Sequence, residues 1–329
     1  MLKITYPENG ACVAVLTDEQ KEYMEMDRSG FTREDFDWLN LKRESEKERS
    51  HPRPVTLKWE PAVMGLAQIS ETEDFVHAFT ATGEGEASIY NLKIGTTYYA
   101  RILSGTDESE VISFMTEDMA PRLIYVDGIS NVRDAGGWKT KDGRRVRQGL
   151  LYRGSEMNSH VTISPKGIET MLNDLRIKTD LDVRSLRENR MDVLRVNYQQ
   201  IPCRPYHQFL INIETCNQLF EFLSNVDNYP IYYHCYGGAD RTATLAFMLA
   251  AVLGVPEKAL IDDYEATGLS YWGMRSRNGN LYKQFIEALN RFVGEDICEK
   301  AVNYLLFAGV TEETIEKIRN IFLEDISES

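Results

Sequence analysis

The stretch HCYGGADRT at residues 234–242 carries the residue types in this sequence that are best suited to chemistry: a cysteine, two glycines and an arginine within one short turn. An ionised thiol is a strong nucleophile, and a helix N-terminus or a nearby arginine lowers a thiol pKa. Five residues separate Cys235 from Arg241, which lets the chain curl around a tetrahedral anion while the guanidinium grips two of its oxygens. The spacing therefore predicts a thiolate that attacks a bound phosphate ester.

The other residues of this turn have predicted roles in binding the phosphate and in completing the reaction. Gly237 and Gly238 allow backbone conformations with positive φ and bring amides close to a ligand. We expect the backbone of Tyr236 and Ala239 to line the same turn, where the start of the following helix adds positive potential. Thr242 is placed to donate its hydroxyl to the thiolate, which makes sulfur a better leaving group when water attacks.

The segments on either side of the turn are predicted to be a buried strand and a buried helix. PIYYHC (230–235) is a continuous apolar and aromatic run, and RTATLAFMLAAVLGV (241–255) is an apolar helix ended by Gly254 and Pro256. From residue 119 onward, strand-like and helix-like segments alternate, which is typical of an α/β fold with a central sheet flanked by helices. The turn thus lies between a strand and a helix N-terminus, where anion-binding loops are found.

The Cys-x5-Arg-Thr pattern after a hydrophobic strand resembles that of the cysteine-based protein tyrosine phosphatases. More narrowly, HCxxGxDRT resembles the microbial tyrosine/dual-specificity branch, and three upstream stretches are similar to its motifs: ISNVRDAGGW (129–138), GLLYRGSEM (149–157) and TDLDVRSLRE (179–188). The resemblance covers roughly residues 120–325 and implies a cysteine-phosphatase fold, a phosphocysteine intermediate, no metal and no cofactor. No Cys/His cluster in the sequence has metal-ligand spacing.

The leaving oxygen needs a general acid. The Trp-Pro-Asp loop of classical tyrosine phosphatases is absent, because no tryptophan in the sequence is followed by Pro-Asp. In the branch that this loop resembles, and in the myotubularin-type lipid phosphatases, the Asp beside the arginine is assigned the acid role, which points to Asp240. Asp182, at the carboxyl end of a predicted neighbouring strand, is the rival, and a residue of segment 262–277 is the third alternative.

Upstream charged residues and one downstream segment are further candidates for substrate binding. We expect Arg133, Asp182 and Arg184 to contact substrate, and the alternative for each is a polar network or salt bridge that braces the loop from below. The segment DDYEATGLSYWGMRSRNGN (262–280) mixes aromatic residues and arginines without clear periodicity, and is either a lid over the pocket or an ordinary helix connection. In the lid interpretation four side chains face substrate: Tyr271, Trp272, Arg275 and Arg277.

The first third of the chain is predicted to be a small all-β sandwich at residues 1–118, followed by the phosphatase domain at 119–329. Five segments between residues 53 and 116 are short, rich in β-branched and aromatic residues, and separated by Gly, Asp and Ser clusters. A further strand is expected from residues 2–16.

Two features of this front part carry specific expectations. NLKIGTTYYARIL resembles a corner of fibronectin type III domains, with Leu92, Gly95 and Tyr99 in the corresponding places. A charged stretch at about 18–50 is predicted as a helical insertion, which either lies on the sandwich or binds a protein partner.

The composition limits which binding partners and which cellular compartment we expect. The 329 residues carry a net charge of −14, and residues 1–118 hold 12 Lys+Arg against 23 Asp+Glu, whereas 119–329 hold 25 against 28. An acidic surface repels nucleic acid and anionic membranes, and no run of about 18 apolar residues could span a bilayer. The five widely spaced cysteines do not form a disulfide framework, so we expect a cytoplasmic protein, with a secreted form that has lost its signal peptide as the alternative.

These observations predict a cysteine-dependent phosphomonoester hydrolase with phosphotyrosine, and some dual specificity, as its preferred substrate class. Phosphoinositides or another small phosphomonoester are the alternative, although Ala239 stands where members that favour phosphoinositides often have lysine. Basic residues of a predicted hairpin at 139–147 could supply charge if that hairpin overhangs the site. Alternatives from other classes are a non-catalytic phosphopeptide-binding module, a sulfurtransferase and an arsenate reductase.

Overall fold

The computed structural model describes residues 2–31, 48–186 and 192–326; strands dominate the first third, and strands alternate with helices thereafter. The strands are β1 (Lys3–Tyr6), β2 (Ala11–Val13), β3 (Val55–Glu60), β4 (Met64–Ser70), β5 (Phe79–Glu84), β6 (Glu86–Ile89), β7 (Thr97–Ser104), β8 (Asp107–Glu108), β9 (Ile112–Thr116), β10 (Arg133–Asp134), β11 (Arg145–Val146), β12 (Leu151–Gly154), β13 (Thr179–Asp182), β14 (Asn197–Gln200), β15 (Ile231–His234) and β16 (Leu323–Glu324). The α-helices are α1 (Asp18–Glu25), α2 (Pro165–Glu169), α3 (His207–Ile211), α4 (Ile213–Leu223), α5 (Arg241–Val252), α6 (Glu257–Glu265), α7 (Asn280–Leu289), α8 (Ile297–Phe307) and α9 (Glu312–Phe322). A π-helical turn at Thr170–Asp174 continues α2, and 3-10 turns lie at Val226–Asn228 and Ala266–Leu269.

A five-stranded sheet forms the centre of the back part of the chain, in the order β10-β12-β15-β13-β14. β12, β15, β13 and β14 are parallel, and β10 is antiparallel to β12. Every residue of the middle strand, β15, is buried: Ile231 and Tyr233 belong to one hydrophobic cluster and Tyr232 to another. Burial on both faces requires the continuous apolar sequence of this strand, and the predicted α/β arrangement is confirmed.

Helix α5 follows β15 through the loop at residues 235–240 and is buried along most of its length. It packs against α6 and α8, which accounts for its apolar sequence. The helix ends at Val252 and is followed by Gly254, whose φ is +82°, and Pro256 is the N-cap residue of α6. Among the helices of the described residues, none is long and apolar enough to cross a membrane.

Two sheets occupy the front part, in the orders β1-β3-β6 and β2-β9-β7-β4-β5, with β8 paired to β7. Burial alternates along β3 and β7, and the inward residues of both sheets join one hydrophobic cluster: Val55, Leu57 and Trp59 from the first and Tyr98, Ala100 and Ile102 from the second. The sequence analysis missed β4, because MGLAQIS contains glycine, alanine and glutamine and a single β-branched residue, Ile69.

The corner in the front part is built on Tyr98, so the expectation of Tyr99 was wrong. Tyr98 is fully buried, and its hydroxyl accepts a hydrogen bond from the Lys93 N–H at 2.8 Å. Leu92 is buried, and Gly95 has a φ of +57°. Tyr99 faces the other side of the sheet, because successive strand residues point to opposite faces.

The stretch at 18–50 that we predicted as a helical insertion starts with α1, which Thr17 caps in a capping box. Residues 32–47 of that stretch lie outside the described residues. α1 contacts the back part of the chain, since the Tyr23 hydroxyl donates to the Glu265 carbonyl at 2.8 Å. The described portion of this stretch is therefore not confined to the front sheets.

Buried polar side chains also join the front sheets to the back part. The Gln148 side-chain amide pairs with both backbone groups of Ile94, at 3.0 and 2.9 Å. Arg122 donates to the Asp134 carboxylate at 2.7 Å and to the Asn91 carbonyl. Arg122 and Asp134 have side-chain exposures of only 2% and 0%, so this interface excludes water.

Arg122→Met should strongly destabilise the fold, because it leaves the Asp134 carboxylate buried without its cation. Removing one partner of a buried ion pair costs about 3–5 kcal/mol, and urea unfolding followed by circular dichroism would show it as a lower midpoint. Arg144→Met is the matched control, because Arg144 pairs with Asp142 at an exposed position where ion pairs add little. Equal midpoints for the two variants would contradict a stabilising role for this interface.

Candidate active site

Cys235 lies where β15 passes into the loop, with 3% of its surface exposed. Its Sγ is 3.0 Å from Oγ1 of Thr242, in the first turn of α5. Burial by itself raises the pKa of this thiol, but the hydroxyl and N–H of Thr242 and the guanidinium of Arg241 lower it, and the pKa falls below its usual value. The thiol therefore ionises more readily than an ordinary cysteine, which is what a nucleophilic role requires.

The carbonyl groups of the loop are turned away from its centre. Three consecutive carbonyls each accept a hydrogen bond at 2.8 Å from a donor outside the loop: Tyr236 from the Glu156 N–H, Gly237 from Asn131 Nδ2, and Gly238 from Arg153 Nη2. In a trans peptide the N–H of the next residue points opposite to the carbonyl. The N–H groups of Gly237, Gly238 and Ala239 therefore point into the turn, where they can bind the oxygens of a phosphate.

The two glycines of the loop serve different purposes. Gly238 has a φ of +65°, and a Cβ there would lie 2.5 Å from the backbone carbon of Gly154 at the end of β12. Gly237 does not have the positive φ that we expected, but a Cβ there would lie 2.6 Å from the indole ring of Trp272. One glycine is thus required by backbone conformation and close approach, and the other by an aromatic ring that lies on the loop.

Arg133 lies beneath the loop and does not face the substrate side as expected. Its side chain is 1% exposed and donates to the carboxylate and the carbonyl of Asp263, both at 2.8 Å. Arg153 donates to the other carboxylate oxygen at 2.6 Å. Burial raises the pKa of Asp263, but the two arginines lower it below its usual value. The bracing network, which was the alternative interpretation, is what the structure places here.

Asp182 and Arg184 pair with each other, and the Arg184 guanidinium also lies 5.6 Å from the ring centroid of Tyr236 in the loop. Arg184 donates to the Asp182 carboxylate from Nε and Nη2 at 2.9 and 2.6 Å, and the Tyr198 hydroxyl donates to it at 2.7 Å. Burial raises the pKa of Asp182, but Arg184, His234 and Tyr198 lower it overall. With a side-chain exposure of 0%, this carboxylate has no direct access to a leaving group.

Asp240 lies at the rim of the loop, directly before α5, with 39% of its side chain exposed. Arg275 donates to it from Nε and Nη2 at 2.7 and 2.8 Å, and the Tyr206 hydroxyl donates at 2.5 Å. Burial raises the pKa of Asp240, but Arg275, Tyr206 and Arg241 lower it below its usual value. Of the two predicted acids, the accessible one is thus held as a carboxylate in this structure.

Aromatic side chains line the rim of the loop. The His160 ring meets Tyr236 and Trp272 edge-on, with centroid separations of 4.8 and 6.2 Å. The Arg241 guanidinium lies 5.2 Å from the centroid of the Tyr236 ring. These rings form a wall beside the mouth of the loop.

Two of the four residues expected on the lid segment reach the loop, namely Trp272 and Arg275. Tyr271 stacks on Trp272 with a centroid separation of 5.1 Å. Arg277 instead binds the fully buried carboxylate of Glu265, at 2.9 and 2.7 Å. The segment is therefore anchored at Arg277 and contacts the loop through the residues before it.

The basic hairpin at 139–147 does not overhang the site. The Lys141 N–H donates to the Gly254 carbonyl, at the end of α5 that is distal to the loop. A helix of this length places that end about 18 Å away. Three of its cations bind acidic side chains there: Lys139 and Arg145 pair with Asp118, and Lys141 pairs with Asp296.

Sequence reasoning missed Asp263, Tyr206 and His160. Asp263 follows another aspartate in α6. The local sequence does not indicate which of the two aspartates binds the two buried arginines. Tyr206 has a φ of +56°, a conformation that is rare outside glycine and that the local sequence does not indicate.

Across residues 2–31, 48–186 and 192–326, no group of three or more His, Cys, Asp or Glu side chains could hold a metal ion.

An ionisable cysteine below inward-pointing amides, with an arginine at the start of the next helix, defines the class of cysteine-based phosphatases. Residues 124–324 match the model of the tyrosine phosphatase family, and the chain belongs to this family. A Cupriavidus necator protein named as a tyrosine-protein phosphatase is 27% identical over 171 residues, which are 43% of this chain and 61% of that protein. The chain thus spans about three fifths of the length of that curated relative.

Two solved structures are also similar. The core catalytic domain of the PP-IP phosphatase SIW14 from S. cerevisiae, in complex with citrate, is 18% identical with a TM-score of 0.32, covering 42% of this chain and 83% of that one. A second structure of the SIW14 catalytic core is 14% identical with a TM-score of 0.33, covering 56% of this chain and 98% of that one.

Gly238→Ala should weaken binding of vanadate, a phosphate analogue, by about tenfold or more. The added Cβ meets the Gly154 backbone and is strained at positive φ, so the loop must shift. Isothermal titration calorimetry on folded protein measures the loss. Gly143→Ala is the matched control, because Gly143 has a φ of +86° and nothing within 4 Å of its added Cβ. Vanadate affinity that is unchanged in Gly238→Ala would show that the loop tolerates a different backbone path.

Proposed function

We propose that the chain hydrolyses phosphomonoesters through a phosphocysteine intermediate, with phosphotyrosine as its preferred substrate. The observation that carries this proposal is one loop that holds the Cys235 sulfur and three N–H groups that are turned inward by braced carbonyls. Such a cradle holds the non-bridging oxygens of a phosphate while the thiolate attacks the phosphorus.

In the first step the Cys235 thiolate forms a bond to phosphorus and the bond to the leaving oxygen breaks. Arg241 and the loop amides hold the three remaining oxygens, and Asp240, once protonated, supplies the proton that the leaving oxygen takes up. In the second step water attacks the phosphorus of the phosphocysteine, the S–P bond breaks and phosphate is released, while the Asp240 carboxylate left by the first step takes up the proton of the water. The Thr242 hydroxyl, 3.0 Å from Sγ, stabilises the thiolate that leaves.

The aromatic wall supports phosphotyrosine as the substrate class. Tyr236, His160 and Trp272 present ring faces and edges beside the mouth of the loop, which suits a flat aryl leaving group. A phosphoinositide with several phosphates needs additional cations near the loop. Ala239 and the distant hairpin at 139–147 do not provide them, and Arg275 at the rim is paired with Asp240 in this structure. Phosphoinositides and other small phosphomonoesters are therefore the alternative substrates.

For the front part we propose a fibronectin type III-like sandwich that binds a protein partner. Its support is the Leu92–Gly95–Tyr98 corner and the single core shared by the two sheets. The buried contacts of Arg122 and Gln148 join this part to the phosphatase. Such a partner would be presented to the active site by a rigid connection instead of a flexible linker.

Cys235→Ser should abolish hydrolysis of an aryl phosphate in EDTA, because a serine hydroxyl does not ionise near neutral pH. We expect a fall of roughly 10³-fold or more, as losing a nucleophile causes in covalent catalysis. Cys12→Ser is the control, because Cys12 is an exposed cysteine of the front part. Turnover retained in Cys235→Ser would contradict the mechanism. Vanadate binding by a wild type that shows no turnover would instead favour a phosphopeptide-binding module.

The substrate class is tested with a panel at equal concentrations. Phosphotyrosine peptides, phosphoserine peptides and phosphoinositides are compared by kcat/KM with wild-type protein. We expect the highest value for phosphotyrosine peptides, because only they place an aromatic ring against Trp272 and His160. A higher value for phosphoinositides would establish the alternative while leaving the phosphocysteine mechanism intact.

A further inference from the structure

Asp240 has an ionic partner that is remote in sequence and that occupies both of its oxygens. Arg275 Nε donates to Oδ1 at 2.7 Å, and Arg275 Nη2 donates to Oδ2 at 2.8 Å. This two-point geometry is the strong form of an arginine–carboxylate pair. A carboxylate held in this way stays ionised and has no proton to donate.

We propose that Arg275 is a positioning residue that sets the protonation state of Asp240, and thereby the pH range in which the phosphatase can protonate a leaving group. The inference rests on the proposed function, in which Asp240 is the general acid. It assigns a catalytic consequence to a residue outside the loop and outside the three upstream motifs that resemble those of the family.

The other groups around Asp240 also favour its ionised form, with one exception. The Tyr206 hydroxyl donates to the carboxylate, and the Tyr264 hydroxyl lies 3.0 Å from that of Tyr206. Arg241, the next residue in the chain, also favours the ionised form of Asp240 through its positive charge. The Cys235 thiolate on the same loop disfavours that form by repulsion between the two negative charges. Tyr206 reaches Asp240 from a strained backbone with φ +56° and ψ −137°, and such strain is found where a site requires a fixed side-chain position.

Arg275 is held in place by several contacts of its own segment. Trp272 lies on Gly237, and Arg277 binds the buried Glu265. The Asn278 side-chain amide donates to the carbonyls of Ser29 and Phe31 in the front part, at 2.9 and 2.8 Å. These contacts hold the backbone of the segment, from which the Arg275 side chain reaches Asp240.

Substrate binding can allow Asp240 to take up the proton that it donates as the general acid. Arg275 keeps 24% of its side chain exposed at the rim, so its guanidinium can turn from Asp240 toward an anion in the loop. A phosphate dianion in the loop also repels the carboxylate and raises its pKa. Both effects favour protonation of Asp240 when substrate is present.

The test is the pH dependence of kcat/KM for a phosphotyrosine peptide, in wild type and in Arg275→Gln. Activity that needs protonated Asp240 declines as pH rises through the pKa of Asp240. Because Arg275 lowers that pKa, its removal should move this decline to higher pH by about one unit or more. Arg275→Lys, which keeps the charge but loses the two-point contact, should give a decline between those of wild type and Arg275→Gln. Lys283→Gln is the matched control, since it removes an exposed lysine without touching Asp240.

The background variant Asp240→Asn separates this inference from a general structural effect. In that background the Arg275→Gln change should leave the pH profile unmoved, because the group on which Arg275 acts has gone. A decline at the same pH in wild type and Arg275→Gln, in protein whose turnover still requires Cys235, would overturn the inference alone. Turnover that does not require Cys235 would overturn the proposed function itself.

Discussion

The active site depends on one constraint: the carbonyls of residues 236–238 must be held away from the centre of the loop. A free turn of two glycines has no reason to keep its amides converging, because glycine adopts many conformations. Here each carbonyl is tied to a donor on another element, and two of the donors are the side chains of Asn131 and Arg153. Strand β12, which carries Arg153, and the bend before β10, which carries Asn131, therefore fix the direction of the amides before any phosphate arrives. This is the preorganisation that transition-state stabilisation requires.

This arrangement places positive charge in the core, and Asp263 makes that possible. Arg153 and Arg133 are buried side by side, and each would repel the other without a shared anion. Asp263 binds both, so the three groups form a desolvated network whose members depend on one another. The same logic recurs at Glu265, which binds Arg28 of the front part and Arg277 of the segment that carries Arg275. The front part is thus connected by buried charge to the rim of the site.

The contiguous chemistry of the loop could be predicted from sequence, whereas its supports could not. A strand, two glycines and an arginine at fixed spacing lie next to each other in the chain, so Cys235, Arg241 and Thr242 follow from local pattern. Arg133, Asp182 and Arg184 have the residue types of a phosphate site, but their exposure depends on which acid the fold brings against them. Asp263 lies 130 residues from Arg133, and Arg275 lies 35 residues from Asp240. No local signal in the sequence predicts a contact at such a separation.

Asp182 and Asp240 show why the type of ionic partner does not decide a catalytic role. Both carboxylates are bound by the Nε and Nη2 groups of an arginine and accept one hydrogen bond from a tyrosine hydroxyl. They differ in accessibility: Asp182 has a side-chain exposure of 0%, and Asp240 has 39%. Opening the Asp182 pair would leave a charge buried without a partner, which is costly. At the rim, water and substrate can replace Arg275, so only the Asp240 pair can open within the folded protein and exchange a proton.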